Sequence, residues 1–209
     1  PDSLWPERAR RLAEALKEFV VVEGDQAYLS SFIAEPGWEI REPERKPQGF
    51  TAGTMCHTAQ GLAQYNRLLG TDPEATELAR KLMRYIMRNR KFFTKEGEFL
   101  PDLDDAPGIH FHGHAMSIVV ALELALDTGD KELLSEAQTK FDYAVNVYSN
   151  PLVGYFPIWL NKEPTEWHKR VFGLVYPTES CALGDMVIGA VLLSRLGVDR
   201  WDLLDRWTR

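Results

Sequence analysis

Much that would place a protein in a functional class is scarce in this chain of 209 residues, and each shortage excludes something. There are only two cysteines, Cys56 and Cys181, far apart in sequence. They cannot make a disulfide framework, and a reducing cytoplasm is the expected setting. No apolar run approaches the roughly 18 residues that cross a bilayer; the longest, over 186–193, is too short for an integral membrane protein. Lys and Arg number 24 against 31 Asp and Glu, a formal net charge of −7, and no segment concentrates positive charge. Nucleic acid is therefore not an expected partner. A glycine-rich phosphate loop, a Gly-x-Ser-x-Gly elbow and a Cys-x-x-Cys pair are all missing, so nucleotide hydrolysis and serine-hydrolase chemistry find no support. What is plentiful is core material: 44% hydrophobic and 26% charged residues, the balance of a folded soluble globule.

The apolar residues recur at helical spacing. Leu12, Ala15, Leu16, Phe19 and Val20 predict a first helix within 4–22, followed by a long irregular stretch over 24–49 rich in aromatics, prolines and charges. Helices are then expected over 53–69, 73–90, 113–127, 131–148 and 178–196, with another from 200. Their punctuation repeats. Leu69-Gly70 is followed by Asp72 as a cap and Pro73 at a first helical position; Thr128-Gly129-Asp130 and Leu196-Gly197-Val198-Asp199 use the same device. The glycines lie 59 and 68 residues apart, a repeat of helical hairpins. Turns within hairpins are short, while the connections over 91–112 and 149–177 are long. This alternation predicts an all-α fold, an α/α toroid in which hairpins stack and the long loops gather at one end; a helical solenoid is the alternative. Residues 1–209 are expected to form one toroid domain. The chain opens at Pro1 without an initiator methionine and stops within a helix at Trp207-Thr208-Arg209, so the toroid is expected to continue beyond Arg209, and any signal sequence would lie outside it.

Three groups could carry chemistry. His110-Phe111-His112-Gly113-His114 puts three histidines in five residues where a loop gives way to a helix. An extended segment would bring the three rings together, whereas a helix already begun would spread them. They are read as substrate contacts, as a metal site, or as caps and loop partners. In Thr178-Glu179-Ser180-Cys181-Ala182-Leu183-Gly184-Asp185, Asp185 follows one helical face with Cys181, Ile188 and Leu192, where a carboxylate is costly unless paired. Glu179 is expected in the first helical turn with Thr178 as cap, where the helix dipole favours an acid in any case. Aromatic residues of the long connections, Trp38, Tyr155, Phe156, Trp159, Trp167 and Tyr176, suit the apolar faces of a pyranose, or else plug the end of a toroid. Loop acids (Asp102, Asp104, Asp105, Glu163, Glu166) add carboxyl groups of the kind a glycosidase needs in pairs.

The histidine phrase with its following helix and Asp127-Thr128-Gly129-Asp130 turn, and the stretch from Thr178-Glu179-Ser180-Cys181 through Gly184-Asp185-Met186 to Trp201–Trp207, resemble the six-hairpin glycosidase superfamily over about 53–209. Bacterial glucuronidase-like glycoside hydrolases are the nearer likeness and bacterial beta-L-arabinofuranosidases the more distant. The resemblance implies part of an (α/α)6 barrel with a cleft at the hairpin mouths, into which His112, His114 and Glu179 would point. In the arabinofuranosidases a Glu-x-Cys phrase supplies two ligands of a zinc whose other ligands are a later pair of cysteines. Glu179 and Cys181 match that phrase, but no cysteine follows Cys181 and Cys56 lies too early. Either those cysteines lie beyond Arg209 or the chain belongs to the branch without zinc; the histidine phrase and Asp185-Met186 resemble the glucuronidase-like group, and that resemblance implies the second, with no cofactor and zinc as the alternative.

The expectation is a carbohydrate-active enzyme, a glycoside hydrolase releasing a terminal sugar or uronic acid from an oligosaccharide or glycoside. Glu179 is expected as the first catalytic carboxyl, with Asp185 or Asp104 as its partner. His112, His114, Trp159, Tyr176 and Arg170 are expected to bind substrate, with Arg41 and Lys169 as further cations for a uronate. A sugar epimerase or polysaccharide lyase would keep the fold and use histidine as acid and base; a helical-repeat binding scaffold would use the fold without catalysis. A homo-oligomer is compatible with each.

Overall fold

The computed structural model of the chain describes residues 4–29, 52–89, 92–101, 109–150, 154–160 and 178–209. They fall into two compact units, Pro1–Ile86 and Met87–Arg209. Among the described residues no helix is long and apolar enough to cross a membrane.

In the first unit, α1 (Leu4–Glu18) packs on α2 (Ala52–Leu69), and α3 begins at Pro73 and runs to Arg88. The first helix is shorter than its apolar pattern predicts. After Glu18 the chain turns into a hairpin, β1 (Val20–Glu23) antiparallel to β2 (Gln26–Leu29), with Val20 opposite Leu29 and Glu23 opposite Gln26. Three successive valines are stiff at χ1 and fit a pleated strand better than a helix, and Gly24 at φ 63 supplies the positive φ of a two-residue hairpin turn. The start of the stretch expected to be irregular is therefore a strand, with Ala27, Tyr28 and Leu29 buried; residues 30–49 lie outside the described residues. The α2–α3 turn follows the sequence pattern. Gly70 stands at φ 66, Asp72 Oδ1 accepts from the Ala75 N–H at 3.1 Å, and Pro73 opens α3. Asn66 ties the turn from both sides, accepting from the Asp72 N–H and donating to Thr76 Oγ1, each at 2.9 Å.

The second unit is built around α4 (Phe111–Thr128), which packs on α5 (Lys131–Tyr143) and most extensively on α6 (Ser180–Arg195). Its run from Ile118 through Val119, Val120, Ala121, Leu122 and Leu124 to Ala125 is buried, the signature of a helix covered on several sides. Each large aliphatic side chain so covered contributes about 1.5–3 kcal/mol. Helix α5 runs on through a π-helical turn, Ala144–Tyr148, where an unbroken α-helix was expected. Gly189 of α6 faces the Phe141 ring so closely that a Cβ would sit 2.9 Å from it, which fixes how near α6 comes to α5. Helix α7 (Trp201–Thr208) lays Trp207 against Phe141 and Phe156. Gly129, at φ 70, closes α4 with its N–H on the Ala125 carbonyl, and Asp130 caps α5 by accepting from the Glu132 and Leu133 N–H groups.

Candidate active site

Two very short strands set the geometry. In β3 (Ile109–His110) and β4 (Trp159–Leu160), Ile109 stands opposite Leu160 and His110 opposite Trp159. Ile109 and Leu160 are buried, so alternation turns His110 and Trp159 to the opposite face, where their ring centroids are 4.9 Å apart. Just before β4, Pro157 bridges to Thr178, which brings the entry of α6 beside the entry of α4. His110 and Glu179 are the N-cap residues of these two helices, both with extended backbone, and neither side chain makes a capping hydrogen bond. They turn towards each other instead: His110 Nε2 lies 3.3 Å from Glu179 Oε2. The Cys181 thiol donates to the same oxygen at 3.2 Å.

One turn further in, His112 Nδ1–H donates to Asp185 Oδ2 at 2.6 Å. The Asp185 side chain is only 13% exposed, and a carboxylate so enclosed needs the partner it has. The two pairs touch through the His110 and His112 rings, edge to face at 5.8 Å. His110, Glu179 and His112 remain about a third exposed, open to a ligand at the mouths of α4 and α6. Burial, then the Glu179 carboxylate beside it, pushes the Cys181 thiol up, so at neutral pH it is a protonated donor. Among the described residues no three His, Cys, Asp or Glu side chains group so as to hold a metal ion.

Of the residues expected from sequence, Glu179, Asp185, His112 and Trp159 meet in one place. His114 does not join them. It is fully buried, stacked on Phe99 at 5.1 Å, edge-on to Phe93 at 5.3 Å, and its Nδ1–H donates to the His110 carbonyl at 3.2 Å. The helix starts at Phe111, two residues earlier than expected, and side chains two apart on a helix point about 200° from each other. His112 therefore faces the mouth while His114 faces the core. The expected stripe of α6 holds only in part: Leu192 is buried, but Cys181 and Ile188 are exposed, Ala182, Met186, Gly189, Ala190 and Leu193 complete the buried face, and Asp185 flanks it. Thr178 does not cap α6; it is spent on the bridge to Pro157. Phe156, expected among ligand-facing aromatics, is a core residue stacked on Phe111 at 4.8 Å, whereas Tyr155 is exposed. Asp104, Arg170 and Tyr176, with Trp38, Arg41, Asp102, Asp105, Glu163, Glu166, Trp167 and Lys169, lie outside the described residues. Sequence reasoning did not single out His110 or Cys181 as partners of Glu179; the only local trace is the two-residue alternation of Ile109 and His110, too short to read as a strand.

No protein-family model matches the chain, and no curated protein matches it significantly. Solved structures do. The GH76 alpha-mannanase of Bacteroides thetaiotaomicron superposes over 100% of this chain and 54% of its own, with a TM-score of 0.69 at 13% identity. An unsaturated glucuronyl hydrolase of Bacillus sp. GL1, described as responsible for the degradation of glycosaminoglycan, superposes over 89% of this chain and 51% of its own, with a TM-score of 0.55 at 18% identity. Both are six-hairpin glycosidases, and the fold of this chain is theirs, the helical-hairpin architecture of the (α/α)6 toroid. The chain spans about half the length of each.

Proposed function

We propose that the chain carries the cleft of a carbohydrate-active enzyme, a glycoside hydrolase that releases a terminal sugar or uronic acid. The observation that carries the reading is the pair of carboxylate–imidazole contacts, Glu179 with His110 and Asp185 with His112, at the open mouths of two helices beside Trp159. Breaking a glycosidic bond takes one carboxyl group to protonate the leaving oxygen and a second group to activate water or to attack the sugar carbon. Glu179, the more exposed of the two, is the proton donor in this reading. Asp185 is the second carboxylate in this reading, with Asp104, which lies outside the described residues, as the other candidate. Trp159 offers a flat apolar face to a pyranose, while His112, Tyr176 and Arg170 are the candidates for its hydroxyl and carboxylate groups. The two solved neighbours, named for a mannanase and a glucuronyl hydrolase, support a carbohydrate substrate without choosing the sugar.

A second reading draws on one contact. With Nδ1 held by Asp185, His112 keeps its Nε2 without a hydrogen bond among the described residues, which is the arrangement of a histidine acid and base. That would suit a sugar epimerase or a polysaccharide lyase on the same fold.

The test is a panel of chromogenic glycosides, including glucuronides and arabinofuranosides, run on the chain and on its Glu179→Gln variant with and without a chelator. Turnover that is lost in the variant and survives the chelator supports metal-free hydrolysis. An unsaturated product absorbing in the ultraviolet, or exchange of a sugar carbon-bound proton with solvent, would replace hydrolysis by the histidine reading. Binding of glycans that is indifferent to Glu179→Gln, with no turnover, would leave a scaffold.

A further inference from the structure

The two hydrogen bonds received by the Glu179 side chain fall on one oxygen. His110 Nε2 at 3.3 Å and Cys181 Sγ at 3.2 Å both meet Oε2, and Oε1 receives none among the described residues. The N-cap position would normally turn a side-chain oxygen back onto the amides of its own helix; here Glu179 makes no such bond. Its carboxylate is thus held from one side by donors on two different elements: the end of β3, which is pinned by its pairing with β4, and the first turn of α6. His110 is braced in turn, since its carbonyl accepts from the buried His114 ring and its own ring lies against Trp159.

We propose that His110 and Cys181 are positioning residues that fix Glu179 by Oε2 and present Oε1 as the oxygen that exchanges a proton with the substrate, an assignment that rests on Glu179 being the catalytic acid. Two donors on Oε2 disfavour a proton there, because a protonated oxygen facing two donors loses one of its hydrogen bonds. The acidic proton then resides on Oε1, passes to the leaving glycosidic oxygen as the bond to the sugar carbon breaks, and leaves a carboxylate whose charge sits against both donors. A general acid must lie within hydrogen-bond reach of the atom it serves in a fixed orientation, and small losses of orientation are costly.

The experiment has two arms on the full chain. In the first, kcat and KM are measured for Cys181→Ala, Cys181→Ser and His110→Ala on whichever glycoside the panel finds. Cys181→Ala is expected to lower kcat about three- to tenfold, the effect of one lost hydrogen bond, with KM within about twofold. Cys181→Ser, which keeps a donor, recovers most of that loss. His110→Ala is expected to lower kcat by about 100-fold. In the second, nitrogen-15 NMR reads the His110 ring without substrate: Nε2 carries the proton in the parent chain, and Glu179→Gln moves its resonance. A His110 signal indifferent to Glu179→Gln, or Cys181 substitutions that change KM and spare kcat, overturns the assignment. A panel with no turnover while the His110 signal responds overturns the glycosidase reading and, with it, the role given to Oε1, yet leaves the positioning contact intact.

Discussion

The two ends of the helical hairpins use the same position, the helix N-cap, in opposite ways. At the tight turns the cap is spent on the backbone: Asp72 accepts from the Ala75 N–H, and Asp130 from those of Glu132 and Leu133. At the mouths of α4 and α6 the caps are His110 and Glu179, which leave their own helix amides alone and meet each other. A capping side chain is worth about 0.5–2 kcal/mol, so the mouth forgoes a stabilisation that the turn collects. The difference teaches that one helix position can serve two kinds of partner, the backbone amides of its own helix at the turn and a side chain of another element at the mouth. A polar residue at an N-cap that declines to cap is held for another partner.

The sharpest way to break that comparison is Glu179→Gln. If the mouth serves chemistry, the variant is expected to lower kcat by about 10²–10⁴-fold, the usual contribution of a positioned proton donor. Because the side chain makes no capping bond, stability should stay within about 0.5 kcal/mol, as for a surface substitution. Turnover of the best glycoside and urea unfolding on the same samples read both. A fall in stability as large as that of a lost cap, with turnover preserved, would place Glu179 with the turn residues.

His114 stands between the two ends, since it lies in the first turn of α4 but faces the core. His114→Ala removes a fully buried ring stacked on Phe99 and is expected to cost about 3 kcal/mol in urea unfolding, comparable to truncating another buried aromatic. His114→Phe keeps most of the ring volume and gives up the bond to the His110 carbonyl, at about 1 kcal/mol. Equal costs for the two variants would mean that the bond, not the packing, is what His114 contributes. Smaller again is Asp130→Ala, expected to cost about 1 kcal/mol by removing the cap of α5. It should leave turnover alone, because Asp130 belongs to a tight turn and makes its cap bonds within α5.

The turn end was legible in the sequence because its physics is local. Gly70, Asp72 and Pro73 lie within four residues, as do Thr128, Gly129 and Asp130, and each stop and start can be read from the residues that perform it. The hairpin repeat and the helical fold followed from those stops. The mouth was legible only in part. That Asp185 needed a partner could be argued from its place beside an apolar stripe, but the partner, His112, lies 73 residues away, and His110 is 69 from Glu179. Choice of partner over such separations is made by how α4 and α6 pack, which no window of sequence contains. The divergence of His112 from His114 depended on a helix start two residues earlier than expected, within the ordinary uncertainty of a helix boundary. The β1–β2 hairpin was hidden because apolar residues continue through Val20 at helical spacing, and the preference of three valines for a strand prevailed there.

The finest test concerns a turn cap that also carries charge. Lys17 of α1 reaches Asp72 at 2.7 Å and Glu74 at 3.0 Å, with Lys17 and Asp72 both largely enclosed. For Asp72, burial works against the carboxylate, but the Lys17 ammonium and the Ala75 and Glu74 amides outweigh it and hold the pKa below its usual 3.8. For Lys17, burial likewise opposes the charge, and the Asp72 and Glu74 carboxylates prevail, raising the pKa above 10.5. The contribution of Asp72 is therefore complete above about pH 4 and is lost as pH falls through its depressed folded pKa. That of Lys17 is complete below about pH 10 and is lost as pH rises through its elevated one. Asp72→Asn separates capping from charge, since asparagine caps about as well as aspartate and cannot pair with an ammonium. At pH 7 it should cost about 0.2–1 kcal/mol, and the gap from the parent chain should close as pH falls below the folded pKa of Asp72. Asp72→Ala should cost more at pH 7 and keep a gap from the asparagine variant through the acid range, because it gives up the cap as well. Urea unfolding of the three chains from pH 2.5 to 8 reads both effects. An asparagine gap that stays constant with pH would make Asp72 a neutral cap like any other, and the charge at this turn idle.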